Sequence, residues 1–374
     1  MAIPVSITIF ILLLYSLVML LLYVGLLSMK SSSVKKPVQR EALTVVVPFR
    51  DEAENLPALI DDLSRQTYPG NLFSVILVND HSVDGSAEMV DSRLKGKPGF
   101  SCLHLPDGKG GKKAAIATAL SVVKTPWIIQ VDADCNVSPG FIASHMALLE
   151  ADPSDLVAGL VTTRGGRNSF LAAFERLDML GLTGAGAGSY RFGRPMMCSG
   201  ANLLYSRELY MDTREFDPVE KTASGDDMFM LIGARKLGRE ISYNTDPEAM
   251  VKTGAARDVR SFIQQRIRWG GKSVHYRMAD IQGLALLVAL SSLGLLLLPL
   301  WLFLYPGSAG WLFSAVGVKT GIDFLILYAI TSRTGQRETL WWFLPVMVLY
   351  YPYMVMVTGG SLLHRSRWKG RSVR

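Results

Sequence analysis

The stretch "WIIQVDADCNVSPG", Trp127 to Gly140, joins a short apolar run to two aspartates one residue apart, Asp132 and Asp134. Carboxylates so close repel each other unless a cation or hydrogen-bond donors lie between them. A D-x-D at the end of a buried strand suits a hard divalent cation, which takes oxygen ligands. Mg²⁺ uses one or two carboxylates, keeps some waters and fills its shell with substrate phosphate. The motif is short, so its meaning depends on its surroundings.

Those surroundings alternate. "LTVVVPF" (Leu43–Phe49), "SVILVND" (Ser74–Asp80), "FSCLHL" (Phe100–Leu105) and "WIIQVDAD" read as strands. "NLPALIDDLSRQ", "SAEMVDSRL" and "KKAAIATALSVVK" between them carry helical spacing. Continuous apolar strands alternating with helices predict an α/β domain over 41–255, with a parallel sheet covered on both faces. Such sheets bind ligands beyond the carboxyl ends of their strands. The first strand runs into "RDEAEN" (Asp51, Glu52), the second into "NDHSVDGS" (Asp80, Asp84) and the fourth into the D-x-D. Acids therefore collect at one predicted edge. A helix N-cap accounts for Asp84; one cap needs one acid, so it does not account for both Asp132 and Asp134.

Three further stretches carry chemistry. "DGKGGKKAAIATAL" (Asp107–Leu120) opens a helix on glycines, with Lys112 and Lys113 in its first turn. It is either an anion site or a solvated basic turn. "SGDDMFML" (Ser224–Leu231) starts a helix on Asp226 and Asp227, each a cap or a general base. In "QQRIRWGG" (Gln264–Gly271), Gln265, Arg268 and Trp269 share one helical face. That face suits a diphosphate and a sugar ring, or a basic helix lying on a membrane.

The ends of the chain are apolar. Ile3 to Ser28 carries no charge and is long enough to span a bilayer. Lys30, Lys35, Lys36 and Arg40 follow it, in a linker over 30–40. An uncleaved anchor over 1–29 is expected, with the next domain in the cytoplasm. Over 283–363 three more spans are expected: Gly283–Tyr305, Trp311–Ile330 and Leu340–Leu363, the last kinked by Pro345 and Pro352. Lys319 and Asp323 lie four apart in the second of these. They are either a functional intramembrane pair or a lysine snorkelling outward with its partner. The basic tail 364–374 holds five Lys/Arg. The charge rule wants it inside, whereas three spans would place it outside. Either the last segment is re-entrant or interfacial, or the tail lies outside despite its charge.

The net charge of +7 does not point to nucleic acid, because the basic residues gather beside the apolar segments. Arg257, Arg260, Arg266, Arg268, Lys272 and Arg277 fall in a predicted interfacial region over 256–282. They suit anionic headgroups or a phosphate-bearing ligand. Three scattered cysteines fit a reduced compartment without disulfides.

Taken in order, "VVVPFRDEAENL", "ILVNDHSVDGS", "GGKKAAI", "VDAD", "GAN", "GDD" and "QRIRW" resemble the membrane-bound family 2 glycosyltransferases. The resemblance covers about Leu43 to Gly271 and implies a GT-A fold, Rossmann-like, flanked by transmembrane helices. It implies that Asp80 contacts the nucleotide base and Glu52 the ribose. It implies that Lys112 binds the nucleotide, and that Asp132 and Asp134 hold the nucleotide and a Mg²⁺ or Mn²⁺ on its diphosphate. Asp227 matches the catalytic base, with Asp226 behind it. Gln265, Arg268 and Trp269 match the motif that closes over diphosphate and acceptor. Asp51 departs from the pattern, since the family often has an amide there.

The activity this resemblance implies is an inverting transfer from a nucleotide sugar, UDP-linked by default, to a lipid or lipid-linked acceptor at the cytoplasmic face of the cell membrane. A processive polysaccharide synthase is the alternative, although four spans are few for a polymer channel. A non-catalytic sugar-nucleotide-binding module is a lesser one. A nucleotidyltransferase would use similar acids and release pyrophosphate. The segment Phe170 to Met197, rich in Gly and Ala, is expected to shape the acceptor side and to be mobile.

Overall fold

A computed structural model describes residues 2–29, 41–164, 169–216, 225–273, 276–363, 367–368 and 371–372. The linker and most of the basic tail lie outside the described residues. Along the chain come α1 (Ile3–Ser28), β1 (Leu43–Phe49), α2 (Leu56–Ser64), β2 (Phe73–Asn79), α3 (Ser86–Leu94), β3 (Phe100–His104), α4 (Lys112–Val122), β4 (Trp127–Gln130) and α5 (Phe141–Ala151). Next are β5 (Leu156–Gly159), β6 (Val161–Thr163), α6 (Phe170–Tyr190), β7 (Leu203–Ser206), α7 (Arg207–Thr213), α8 (Asp226–Lys236), β8 (Ile241–Asn244) and β9 (Val251–Thr253). The chain ends with α9 (Val259–Ser273), α10 (Ala279–Leu296), α11 (Leu298–Leu304), α12 (Ala309–Arg333) and α13 (Phe343–Leu363), then the two-residue strands β10 (Arg367–Trp368) and β11 (Arg371–Ser372).

These elements form two units. One is Lys30–Arg164 with Gly193–Gly254; the other is Met1–Met29, Gly165–Phe192 and Ala255–Arg374. The stretch 165–192 therefore groups with the helices, and the predicted domain 41–255 is interrupted there.

The first unit holds a seven-stranded sheet, in the order β3-β2-β1-β4-β7-β5-β8. All seven residues of β1 are buried, as a central strand with both faces covered requires. β1 pairs in parallel with β2 and with β4, so their carboxyl ends share one edge. The expectation of an all-parallel sheet is corrected at β7, which runs antiparallel to both β4 and β5. Its register sets Leu203 opposite Gln130. The reversal brings the segment before β7, Ser199–Gly200–Ala201–Asn202, to the edge where β4 ends. The strand is short and apolar, so its residues do not encode its direction.

Asn202, in that segment, is buried and fully engaged. Its Nδ2 donates to Leu160 O and Ala249 O, both at 2.8 Å, and His145 Nε2 donates to its Oδ1 at 2.8 Å. A Cβ at Gly159 would lie 2.4 Å from that amide, so glycine is the residue that fits there.

In the helical unit, α6 corrects the expectation of a mobile 170–197: it is a 21-residue helix. Its glycines serve a close crossing with α1. A Cβ on Gly188 would lie 2.0 Å from Leu22 O, and one on Gly25 2.2 Å from Gly188 O. Small residues that let helix backbones touch favour such packing in apolar surroundings.

Among the described residues, four helical stretches are long and apolar enough to cross a membrane: Ile3–Ser28, Ala279–Leu296, Pro306–Arg333 and Arg337–Leu363. The expected span Gly283–Tyr305 is broken after Leu296, and Pro299 opens the separate α11. Proline lacks the N–H that would continue α10. Lys319 does not snorkel. It is 2% exposed, its Nζ is 2.5 Å from Asp323 Oδ2, and the Tyr15 hydroxyl donates to Asp323 Oδ1 at 2.8 Å. The ammonium lies over the rings of Tyr15 and Tyr351, at 4.9 and 4.7 Å from their centroids. Arg333, at the end of α12, donates to Leu26 O and Met29 O at the end of α1. At the end of α13, Ser361 Oγ donates to Ile267 O of α9 at 3.2 Å.

Candidate active site

Beyond Gln130 the chain keeps alternating: Val131, Ala133 and Cys135 are buried, while Asp132 and Asp134 are half-exposed. The turn after β4, closed by Cys135 N to Asp132 O at 3.1 Å, thus leaves both carboxylates outside the core. The Lys112 Nζ, in the first turn of α4, meets Asp132 Oδ1 at 2.5 Å. Burial opposes the Lys112 charge, but Asp132, Asp226 and Asp227 outweigh it and hold the amine above the usual lysine value. Lys112 therefore stays an ammonium and acts as a charge partner. Asp134 accepts from Thr253 Oγ1 at 3.0 Å, and its main chain is fixed by Gly254 N–H to Asp134 O at 3.1 Å. Burial, then the charges of Asp132 and Glu52, push the Asp134 carboxyl above its ordinary range. This crowding of negative charge is what a divalent cation relieves, so the residues fit such an ion, with Asp132 and Asp134 as ligands.

The two acids of α8 stand on different supports. Gln130, wholly buried, donates to Asp226 Oδ2 at 2.9 Å and to Gly200 O at 3.2 Å. Asp227 accepts from Gly200 N at 2.9 Å and from Met228 N at 2.8 Å. Those bonds set its plane and leave carboxylate lone pairs for another partner. Gly200 is the tight point. A Cβ there would lie 2.6 Å from Gln130 Nε2 and 3.1 Å from Lys112 Nζ.

Asp80 is buried after β2, and its Oδ2 accepts from Gly111 N at 2.9 Å, tying it to the turn before Lys112. Arg50 lies 3.9 Å from Asp80 and 3.6 Å from Asp51. Asp51 adopts a left-handed φ of 52° and accepts from Val83 N at 2.8 Å. Its acid thus braces the neighbouring loop. Glu52 accepts from Asn55 Nδ2 at 2.7 Å. Arg164 donates to both Asn55 Oδ1 and Asn136 Oδ1, linking the Glu52 loop to the one that carries the D-x-D. Asp84 accepts from Ser86 N and Ala53 N, but the N-cap of α3 is Gly85, so the expected cap is corrected to a turn acceptor one residue earlier.

Glu52, Asp51, Asp80, Lys112, Asp132, Asp134, Asp226 and Asp227 are thus all in the sheet unit, at or beside the edge where β1, β2 and β4 end. Gln265, Arg268 and Trp269 lie on α9, in the helical unit. Sequence reasoning missed Gln130, Thr253 and Arg164, and left Gly200, the first residue of "GAN", without a role. A signal existed for one of them: a glutamine closing an otherwise apolar strand.

A second group of ligand types, Asp91, Cys102 and His104, sits beside β3 with its ligand atoms within 4.8 Å of one another. Asn79 Nδ2 donates to His104 Nδ1 at 3.1 Å, because Asn79 Oδ1 already accepts from Ser82 N. The His104 proton is then on Nε2, facing Asp91 at 3.3 Å. Burial, with Asp91 adding, pushes the Cys102 thiol up to about 12.

A mixed sheet with nucleotide-type loops at one edge is a GT-A-type fold. A mannosyltransferase from Pyrobaculum calidifontis, solved with GDP-mannose and Mn²⁺, shares it: the TM-score is 0.62 at 18% identity, over 96% of this chain and 99% of that one. Residues 44–214 match the glycosyl transferase family 2 domain. That stretch is a glycosyl transferase family 2 domain. An N-acetylglucosaminyltransferase of Rhizobium meliloti (strain 1021) is 26% identical over 300 residues, 77% of this chain and 66% of that protein. The N-acetylglucosaminyltransferase of Neorhizobium galegae is 25% identical over 62% of this chain and 55% of its own length. A hyaluronan synthase of Streptococcus pyogenes is 21% identical over 63% of this chain and 57% of that one. The chain spans between 52% and 66% of the length of the first curated relatives it matches.

Proposed function

We propose that this protein is an inverting glycosyltransferase that moves a sugar from a nucleotide-sugar donor, UDP-linked by default, to a lipid or lipid-linked acceptor. The observation that carries this is the cluster of Lys112 with Asp132, Asp226 and Asp227 beside the D-x-D. It offers a lasting cation and metal-type acids for a diphosphate, with a fixed carboxylate next to them. A Mg²⁺ or Mn²⁺ on Asp132 and Asp134 would supply charge stabilisation for the leaving diphosphate. Lys112 adds positive charge to the same group. Asp80 and Glu52 hold base and ribose, with Asp51 bracing the loop between them. Asp227, held in plane by two backbone N–H groups, takes the proton of the acceptor hydroxyl as it attacks the anomeric carbon. Asp226 is its second. Gln265, Arg268 and Trp269 are assigned to diphosphate and acceptor recognition, by the resemblance of their motif.

The four apolar stretches support a multi-pass place in the cell membrane, with the sheet unit cytoplasmic. The end of α13 against α9 supports a re-entrant or interfacial last segment. The hyaluronan synthase relative favours a second reading, processive synthesis.

The test is nucleoside diphosphate release by membranes containing the protein. The donors are UDP-glucose, UDP-N-acetylglucosamine and GDP-mannose, with Mg²⁺ or Mn²⁺ and total lipid extract. Metal-dependent release with one donor, lost in Asp134→Ala, is expected. Pyrophosphate in place of the diphosphate, or a product of retained configuration, would overturn the scheme. A long saccharide rather than a glycolipid would favour the second reading.

A further inference from the structure

Arg266 lies between the residues of the Gln265–Arg268–Trp269 motif and belongs to none of its recognised positions. Its sequence context places it among basic residues that face headgroups. The structure corrects this: Arg266 is 4% exposed. Its Nε donates to Asp178 Oδ2 of α6 at 2.6 Å, and both side chains of the pair are buried. Its Nη1 donates to Gln265 Oε1 at 2.7 Å. Its guanidinium lies 4.3 Å from the Trp269 ring centroid and 4.8 Å from that of Phe262. One buried cation thus touches two of the three motif side chains.

Each contact has a chemical consequence. Arginine has only donors, so Gln265 must turn its Oε1 toward it. The donor end, Nε2, is then left to other partners, which suits a phosphate or hydroxyl oxygen. On Trp269 the guanidinium covers one ring face, and an aromatic ring has two. The whole is anchored from α6, where Asp178 fixes the guanidinium and Glu175 accepts from Ala256 N at 2.9 Å, just before α9. A lysine could pair with Asp178. It could not also reach Gln265 and lie flat on two rings, since that takes a planar fork.

We propose that Arg266, held by Asp178, is the positioning residue of the α9 motif: it sets which end of the Gln265 amide and which face of Trp269 meet the substrate. This rests on the transferase reading above. The experiment uses the full chain in detergent, with the donor, metal and lipid extract that give nucleoside diphosphate release. Arg266→Lys keeps the buried charge pair and should lower kcat by tenfold or more, with the melting temperature within a few degrees of the parent. Gln265→Ala should also be impaired. The double variant should lose less than the product of the two single losses, because part of the effect of Arg266 passes through Gln265. Gln265→Glu should melt at the same temperature or higher, through its pair with Arg266, yet lose activity tenfold or more, because an acceptor replaces the donor.

Losses that multiply in the double variant, or full activity in Arg266→Lys or Gln265→Glu, would overturn the positioning role while the transferase reading stands. Full activity in Gln265→Ala would remove the motif's assigned role and this proposal together. If Arg266→Lys does not fold, Gln265→Glu decides alone.

Discussion

Lys112 Nζ lies 2.5 Å from Asp132 Oδ1, and Asp226 and Asp227 act on the same ammonium. One cation from the start of α4 therefore balances acids from two different segments. Lys112→Met should leave those acids uncompensated and remove a stabilising charge from the leaving diphosphate. Nucleoside diphosphate release should fall about 10²- to 10³-fold at saturating Mn²⁺. A fall of less than about tenfold would show that Lys112 only neutralises its neighbours.

Gly200→Ala tests the same cluster by shape. The added methyl would lie 2.6 Å from Gln130 Nε2 and 3.1 Å from Lys112 Nζ, so those side chains must move. Overpacking of this kind costs about 1–3 kcal/mol. A lowered melting temperature and reduced turnover should appear together. Parent-like turnover would mean that Lys112 and Gln130 relocate at no cost to activity.

His145 gives the sheet unit a pH-dependent stability. Burial lowers its pKa to about 4, despite the bond to Asn202. The unfolded chain has a histidine of about 6.5. Between those values the unfolded state takes up a proton that the folded state refuses. Stability is therefore full above about pH 6.5 and falls as pH drops toward 4, by about 3 kcal/mol in all. Thermal unfolding at pH 7.5 and pH 5 should show the loss, and His145→Gln should reduce it. An unchanged slope in the variant would move the origin to other groups.

The Lys319–Asp323 pair should be more sensitive to half-removal than to full removal. Asp323→Ala strands a buried ammonium, at about 3–5 kcal/mol. Lys319→Met combined with Asp323→Leu removes both charges and should cost less. Denaturant titration in detergent micelles would rank the two. The reverse order would mean that the pair contributes net attraction beyond its desolvation.

Much of the fold was written locally. The apolar runs of β1, β2 and β4 and the helix-period segments between them predict their elements to within a few residues, because strand and helix periods are properties of short windows. The acids Asp51, Glu52, Asp80, Asp132 and Asp134 could be placed at one edge from the sequence, since consecutive βα units must run parallel. The roles of Gln130, Thr253 and Arg164 could not, as each acts on a partner far along the chain. Gln130 and Asp226 are 96 residues apart, and Thr253 and Asp134 are 119 apart.

By itself the sequence determined the alternating domain, the apolar ends and the acidic edge, through periodicity and composition. Only the tertiary structure decided that β7 runs backward and delivers Gly200 to Lys112. Only it decided that α6 leaves the sheet unit to pack its glycines on α1, and that Arg266 is buried on Asp178. The physical reason is common to all three. Strand direction, helix contact and the pairing of a buried charge are free-energy choices between distant segments, and no short window contains both partners.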